Sequence, residues 1–165
     1  MRISRIIVAP MLAVGAAALA GGCASFKTAS VPKEERVTVA QLSAPARATV
    51  EKLTAGGRVD KIDKEVERGK VVYDVEATVG GKPAGFLIAD FDGEVLGTET
   101  GIEFGQLPAP VQAAAEEYFG TSKGLTAEKG VEYGETSYEV QGPKDGETVE
   151  VTFDPTGKRT REEKQ

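Results

Sequence analysis

"QLPAPVQAAAEEYF", residues 106–119, says again what "QLSAPARATVEKL", residues 41–53, has already said. At a constant offset of 65, Gln41, Leu42, Ala44, Pro45, Ala48 and Glu51 meet identical residues at Gln106, Leu107, Ala109, Pro110, Ala113 and Glu116. Further along, Lys64, Val66, Glu67, Gly69, Tyr73, Val75 and Gly81 match Lys129, Val131, Glu132, Gly134, Tyr138, Val140 and Gly146. Self-similarity at a fixed period marks repeated structural units. Beyond Gly81, about three extra residues in the first copy bring "FDG" (91–93) onto "FDPTG" (153–157). That alignment sets Phe91 against Phe153.

Each copy reads helix first. Its opening stretch is rich in Ala and Glu, with a proline near the first turn, where the missing N–H costs nothing. Ser43 is placed to cap the first helix. Four short strands follow in each copy, punctuated by "RGK", "VGGKP" and "FDGE" in the first and by "YGE", "PKDGE" and "DPTGK" in the second. "KVVYDVEATV" (70–79) alternates: Val71, Tyr73, Val75, Ala77 and Val79 point one way, and Lys70, Asp74, Glu76 and Thr78 the other. That is a half-buried antiparallel strand with one face on helices and one toward water. By the same rule Tyr138 and Val140 of "SYEVQ" face inward, as do Val149, Val151 and Phe153 of "TVEVTF".

A lone unit of about 60 residues buries only about 60% of its unfolded surface and is marginal. Joining two such units edge to edge removes an exposed edge from each and extends the core. The predicted fold class is therefore α+β: two tandem helix-plus-four-stranded antiparallel units, 37–100 and 101–165, forming a continuous sheet with helices on one face. The last strand, "GKRTREEK" (157–164), is highly charged, which guards the terminal edge against pairing with other molecules.

"LPAPV" opening a helix, then "YGETSYEVQ", then "GETVEVTFDPTGK", resembles the PepSY-like domains related to the β-lactamase-inhibitor-protein fold. The resemblance covers about residues 37–165 in two copies, the second closer to pattern, since Ser43 stands where the first copy would carry the proline of "LP". It implies a tandem binding module, common in secreted or lipid-anchored bacterial proteins, with inhibition of peptidases or other envelope enzymes proposed for relatives. Inhibitory precedents use hairpin loops and the open sheet face. The loops here, "VGGKP" and "PKDGE", carry no residue that transfers an inhibitory role.

The N-terminus is set apart from the fold. "MRISR" supplies a charged start, "IIVAPMLAVGAAALA" an apolar run, and "GGC" small residues before the chain's single cysteine. Residues 1–22 read as a secretory signal, too short and too interrupted by Pro10 for a retained spanning helix. "LAGGC" resembles a lipobox, which implies lipidation at Cys23, now the first residue of the mature chain. Several acyl chains on one residue anchor stably where one does not. Residues 23–36, small, polar and charged, read as a flexible tether. The expected address is the cell envelope, facing the periplasm or the exterior; Ala24 lacks the aspartate that commonly retains lipoproteins in the inner membrane, which favours the outer membrane if the cell has two.

Loss of Arg2 and Arg5 leaves 18 basic against 26 acidic residues, a balance of −8. A basic stripe, the footprint of nucleic-acid binding, is missing. With no histidine in the chain and its one thiol acylated, Ser–His and Cys–His catalysis and the usual nitrogen–sulfur zinc sites are excluded. No cofactor and no metal are expected, and no enzyme. Glu65 with Glu67, and Asp90 with Asp92, are spaced to share a strand face, but a glycosidase also needs a cleft between its carboxylates. "DFDGE" (90–94) lacks the ligand pattern of a calcium loop, and Asp92-Gly93 reads as a hairpin turn.

One functional expectation concerns the sheet face. With Phe91 and Phe153 both inward, alternation in "GFLIADF" sends Phe86 and Ile88 outward, beside Val72 on the neighbouring strand. The second copy is polar at the matching places. Val72, Phe86 and Ile88 are thus the candidate partner-binding patch, because contiguous exposed apolar surface marks interaction sites. The function expected is a lipid-anchored envelope module that recognises or inhibits another envelope protein. The alternative is a structural or stress-related lipoprotein that binds cell-wall polymer or a small ligand.

Overall fold

A computed structural model describes residues 34–164 of the chain. A two-residue strand, β1 (Glu35–Arg36), precedes a 3-10 turn (Val39–Gln41) and helix α1 (Ala44–Leu53). Four strands follow: β2 (Arg58–Glu67), β3 (Lys70–Val79), β4 (Lys82–Ala89) and β5 (Val95–Ile102). A second 3-10 turn (Phe104–Gln106) leads into α2 (Ala109–Phe119) and then β6 (Thr126–Glu132), β7 (Glu135–Lys144), β8 (Glu147–Phe153) and β9 (Arg159–Lys164). The strands lie side by side in sequence order as one antiparallel sheet of nine. The molecule is α+β, as its alternating strands and two Ala-rich helices predict.

Turn chemistry explains the order. Arg68-Gly69, Gly80-Gly81, Tyr133-Gly134 and Asp145-Gly146 each place two successive residues at positive φ. Such two-residue turns match the right-handed twist of the strands they join, so each strand folds straight back on its predecessor. Where the chain must cross from β5 to β6 it does so through α2, and the two strands still pair along their length, from Gly97 opposite Glu132 to Ile102 opposite Ala127.

Several local devices recur 65 residues apart. The Gln41 side chain accepts a hydrogen bond from the Thr38 N–H, and that of Gln106 from the Glu103 N–H, both at 2.9 Å. Arg47 Nη2 donates to the carbonyls of Ala40 and Leu42, and Gln112 Nε2 to those of Gly105 and Leu107. Each pair pins a helix to the 3-10 turn before it. The loop after β4 and the loop after β8 each press a glycine against a helix start. A Cβ on Gly93 (φ +71) would stand 2.6 Å from the Pro45 carbonyl oxygen, and one on Gly157 (φ +84) 2.4 Å from that of Pro110. α1 is held further by Ser43, whose hydroxyl accepts from the Ala46 N–H and donates to the Asp90 carbonyl at 2.5 Å.

Both helices lie on the same side of the sheet. Ala46 and Val50 of α1 are fully buried on Ile62, Tyr73, Val75 and Ile88. Val111 and Ala115 of α2 are fully buried on Ala127, Val140, Val149, Val151 and Phe153. Burial of each such Val, Ile or Phe contributes about 1.5–3 kcal/mol.

The tether reading needs one correction at its C-terminal end. Glu35 and Arg36 form β1, pairing with Lys64 and Asp63, and Arg36 Nε sits 2.8 Å from Asp63 Oδ1. An ion pair and a backbone ladder hold a segment whose composition alone suggests no order. The signal sequence, Cys23 and the tether through residue 33 lie outside the described residues.

Candidate functional site

Among the described residues no second layer covers the sheet face opposite the helices. The ladder assigns its occupants, because residues directly opposite one another share a face and neighbours along a strand do not. One row across this face is Asp63, Asp74, Leu87, Gly97 and Glu132; the next is Lys61, Glu76, Gly85, Glu99, Gly130 and Ser137. A third runs Gly101, Glu128, Glu139, Thr152 and Arg161.

This map overturns the predicted apolar patch. Phe86 lies opposite Val75, and Ile88 opposite Tyr73, so both point to the helices; Ile88 is fully buried in the core under α1, with Phe86 packed against it. Val72 does face away from the helices, but it is itself fully buried. The error lies in the alignment. Phe91 is not an inward residue: it stands in the turn after β4 and is 92% exposed. The true counterpart of Phe153 is Ile88, at the uninterrupted offset of 65, since each faces the equivalent tyrosine, Tyr138 or Tyr73. Introducing three residues there shifts parity, and an odd shift turns every side chain of a strand over.

The second sequence candidate, the acidic pairs, divides. Glu65 and Glu67 share the open face, and Glu67 accepts a 3.1 Å hydrogen bond from the Tyr133 hydroxyl, whose ring also carries Arg68 at 3.7 Å. Asp90 and Asp92 are in the turn after β4, not on a strand. Asp90 takes the Tyr73 hydroxyl at 2.5 Å and Asp92 the Glu94 N–H at 3.1 Å, so both serve the turn and its hold on the sheet.

What the open face presents instead is carboxylate over glycine. Gly85, Gly97, Gly101 and Gly130 occupy this face on β4, β5 and β6, so four positions at and beside the β5–β6 seam carry no side chain; all but Gly101 are buried, and Leu87 and Glu132 crowd Gly97. Glu99 sits among them, with glycine opposite on either side; a Cβ on Gly130 would lie 3.9 Å from Glu99 Cγ and 2.9 Å from Ser137 Oγ. Val72 and Leu87 lie on the same face but are buried, at 0% and 2% exposed. Asp74, Glu128, Glu132, Glu139 and Glu150 supply further acid groups on this face.

Burial and mutual repulsion make these groups reluctant to ionise. Desolvation first, then the charges of Glu139, Glu128, Asp74 and Glu150, push the Glu99 carboxyl up to about 10. Desolvation and the neighbouring Glu150 and Glu128 raise Glu139 to about 8, while burial raises Glu128 and Glu132 to about 7. Glu139 is 8% exposed, and its Oε2 has no hydrogen-bond partner; nor does the buried Oε1 of Glu132. In the middle of β2 the balance is different. Lys61 lies 2.9 Å from Asp63 and 2.8 Å from Glu76, and with Arg36 it holds the Asp63 carboxyl below its ordinary value despite burial.

Alternation in "SYEVQ" turns Tyr138 and Val140 inward, which fixes Glu139 on the opposite face. Only the register shows that Glu99, Glu128, Glu139 and Glu150 come from four consecutive strands to one place. Among the described residues no grouping of acid, thiol or imidazole side chains has the arrangement of a metal site.

No protein-family model matches the chain, and no curated protein matches it. Solved structures do. A protein of Bacteroides eggerthii DSM 20697 assigned to the periplasm superposes with a TM-score of 0.54 at 16% identity, over 74% of this chain and 88% of its own. A BLIP-like protein of Bacteroides fragilis NCTC 9343 gives 0.48 at 19% identity, over 74% and 86%. A protein of Clostridium difficile 630 assigned as a lipoprotein gives 0.29 at 16% identity, over 72% and 89%. At these identities the first likeness bears on the fold alone.

Proposed function

We propose that the chain is a non-enzymatic protein-binding module of the bacterial cell envelope, built from two PepSY-like units and anchored by lipid on Cys23. The observation that carries this reading is the one-sided sheet. Nine strands are ordered by two helices on one face, and the other face has no covering layer among the described residues. The tandem organisation is supported by the repetition of contacts as well as letters. Helix pinning at Arg47 and Gln112, and glycine-on-proline contacts at Gly93 and Gly157, follow the same offset as the sequence identities or fall within a residue of it. The envelope address is supported by the signal-like start and lipobox, and agrees with the description of the Bacteroides eggerthii structure as periplasmic.

No helix among the described residues is long and apolar enough to cross a membrane; in this reading the lipobox before Cys23 supplies the attachment. Binding then works by presenting a broad sheet face at the end of a short tether, close to the membrane. Two experiments test it. Photo-cross-linking side chains placed at Ser137 and Thr152 of the open face are expected to trap one envelope protein that a probe at Glu117 on α2 does not. Cross-linking from α2 alone, or from no position, refutes the use of this face. Cys23→Ser is expected to move the protein from the membrane to the soluble fraction, and unchanged membrane retention refutes the anchor.

A further inference from the structure

Taking the open face as the binding surface, we infer that its recognition chemistry is cationic: the glycine-floored trough at the β5–β6 seam receives lysine or arginine side chains of a protein partner.

Three observations converge on this. The first is the floor. Gly97, Gly101 and Gly130 put no side chain of their own into the trough; Leu87 and Glu132 crowd Gly97, and the floor is most open at Gly101, where a Cβ would meet nothing nearer than Pro83 at 3.7 Å. The second is the unmet demand for donors. Glu139 is more than nine-tenths buried with an unpartnered Oε2, and Glu132 Oε1 is buried and unpartnered as well. Ionised carboxylates accept hydrogen bonds and do not donate, so what completes them is an N–H donor, and a charged one binds about twice as strongly as a neutral one. The third is charge. Glu99 is faced by Asp74 of β3, Glu128 of β6, Glu139 of β7 and Glu150 of β8. Glu139 is faced in addition by Arg161 and Glu163 of β9, and Glu132 by Glu65 and Glu67 of β2, by Glu135 of β7 and by Arg68 in the turn after β2, so Arg161 and Arg68 stand among many acids. The acids keep company at a cost that an incoming ammonium or guanidinium removes. A divalent cation is the weaker fit, since the described acids are not grouped for coordination.

Entry of a cation favours the ionised carboxylates, so protons leave as it binds. Affinity for a basic peptide is therefore expected to rise with pH from about 6 to 8, the range in which Glu128, Glu132 and Glu139 titrate.

The test uses the intact chain with fluorescein-labelled tetra-arginine and tetra-lysine amides, read by anisotropy, with tetra-glutamine as the neutral control. Saturable binding of the basic peptides is expected, weakened about tenfold or more in the Glu128→Gln, Glu139→Gln double variant. The Glu116→Gln, Glu117→Gln double variant removes the same charge from exposed α2 and is expected to bind as wild type does. Calorimetry in two buffers of different ionisation heat is expected to report proton release. Thermal melts confirm that both double variants fold. Absence of saturable binding, or an equal loss from the two double variants, overturns the inference. If photo-cross-linking traps a partner on this face and the basic peptides do not compete with it, the cationic chemistry is wrong while the face remains the binding surface. If the peptides bind the trough and no partner is trapped, the chemistry stands and the protein-binding role falls.

Discussion

Glu99→Gln is expected to stabilise this protein at neutral pH, and the gain is expected to vanish in acid. The carboxyl is 4% exposed, lies between two glycines and is surrounded by other acids, which raises it from 4.5 to about 10. Below pH 4.5 it is protonated in both the folded and the unfolded chain and costs nothing. Between 4.5 and 10 the unfolded chain releases a proton that the folded chain retains, so stability falls by about 1.4 kcal/mol for each pH unit. At pH 7 the accumulated cost is about 3 kcal/mol. Glu139, raised to about 8, and Glu128 and Glu132, raised to about 7, bend the profile in the same direction over the lower part of that range. Asp63 acts oppositely: its carboxyl is held below 3.8, so its stabilisation is lost only as the pH falls through that lowered value. The protein is thus expected to be most stable near pH 4 to 5 and to weaken toward pH 9. Urea unfolding of wild type and Glu99→Gln at unit steps of pH measures both curves. Glutamine has the size of glutamic acid and no proton to lose, so the variant should gain about 2–3 kcal/mol at pH 7 and almost nothing at pH 4.5. A wild-type stability that is level or rising from pH 5 to 9, or a variant gain that is the same throughout, would refute the linkage.

Four further substitutions probe the frame. Gly157→Ala forces an alanine to φ +84 with its Cβ 2.4 Å from the Pro110 carbonyl oxygen, and chemical unfolding should show a loss of about 1–3 kcal/mol or more. Phe153→Ala empties the centre of the core under α2 and should cost about 3–5 kcal/mol, whereas Phe91→Ser, at a residue 92% exposed, should change stability by less than about 0.5 kcal/mol. Equal costs would restore the equivalence of the two phenylalanines. Ser43→Ala loses both the cap on Ala46 and the bond to the Asp90 carbonyl, and a drop of about 1–2 kcal/mol is expected in the same assay.

Much of the architecture was readable because the local signals are redundant. Glycine at every hairpin, strict alternation in β3 and a helix start spelled twice all lead to the same sheet, and each was found where expected. The site was less readable for a physical reason. Strand faces have a period of two, so one misplaced gap at residues 82–91 inverted Phe86 and Ile88 while leaving every strand in place. β1 escaped notice because two residues held by an ion pair carry no pattern. The acidic trough escaped because its members are far apart in the chain. Glu99 and Glu139 look like ordinary solvated charges until the ladder puts bare glycines beside one and a row of acids beside the other.

The strictly sequential order of the strands has a kinetic consequence. Within β2–β5, and again within β6–β9, every strand reaches its neighbour across a short turn, so each half of the ribbon zips locally. Two pairings must close over a helix: the two-residue β1–β2 ladder over residues 37–57, and the full-length β5–β6 ladder over the longer loop 103–125. Distant closure is entropically dearer than adjacent closure, so the β5–β6 join is the natural last event of folding. The glycine trough straddles that join. A nascent chain halted just before it would own every hairpin of the finished protein and still have nothing with which to greet a partner.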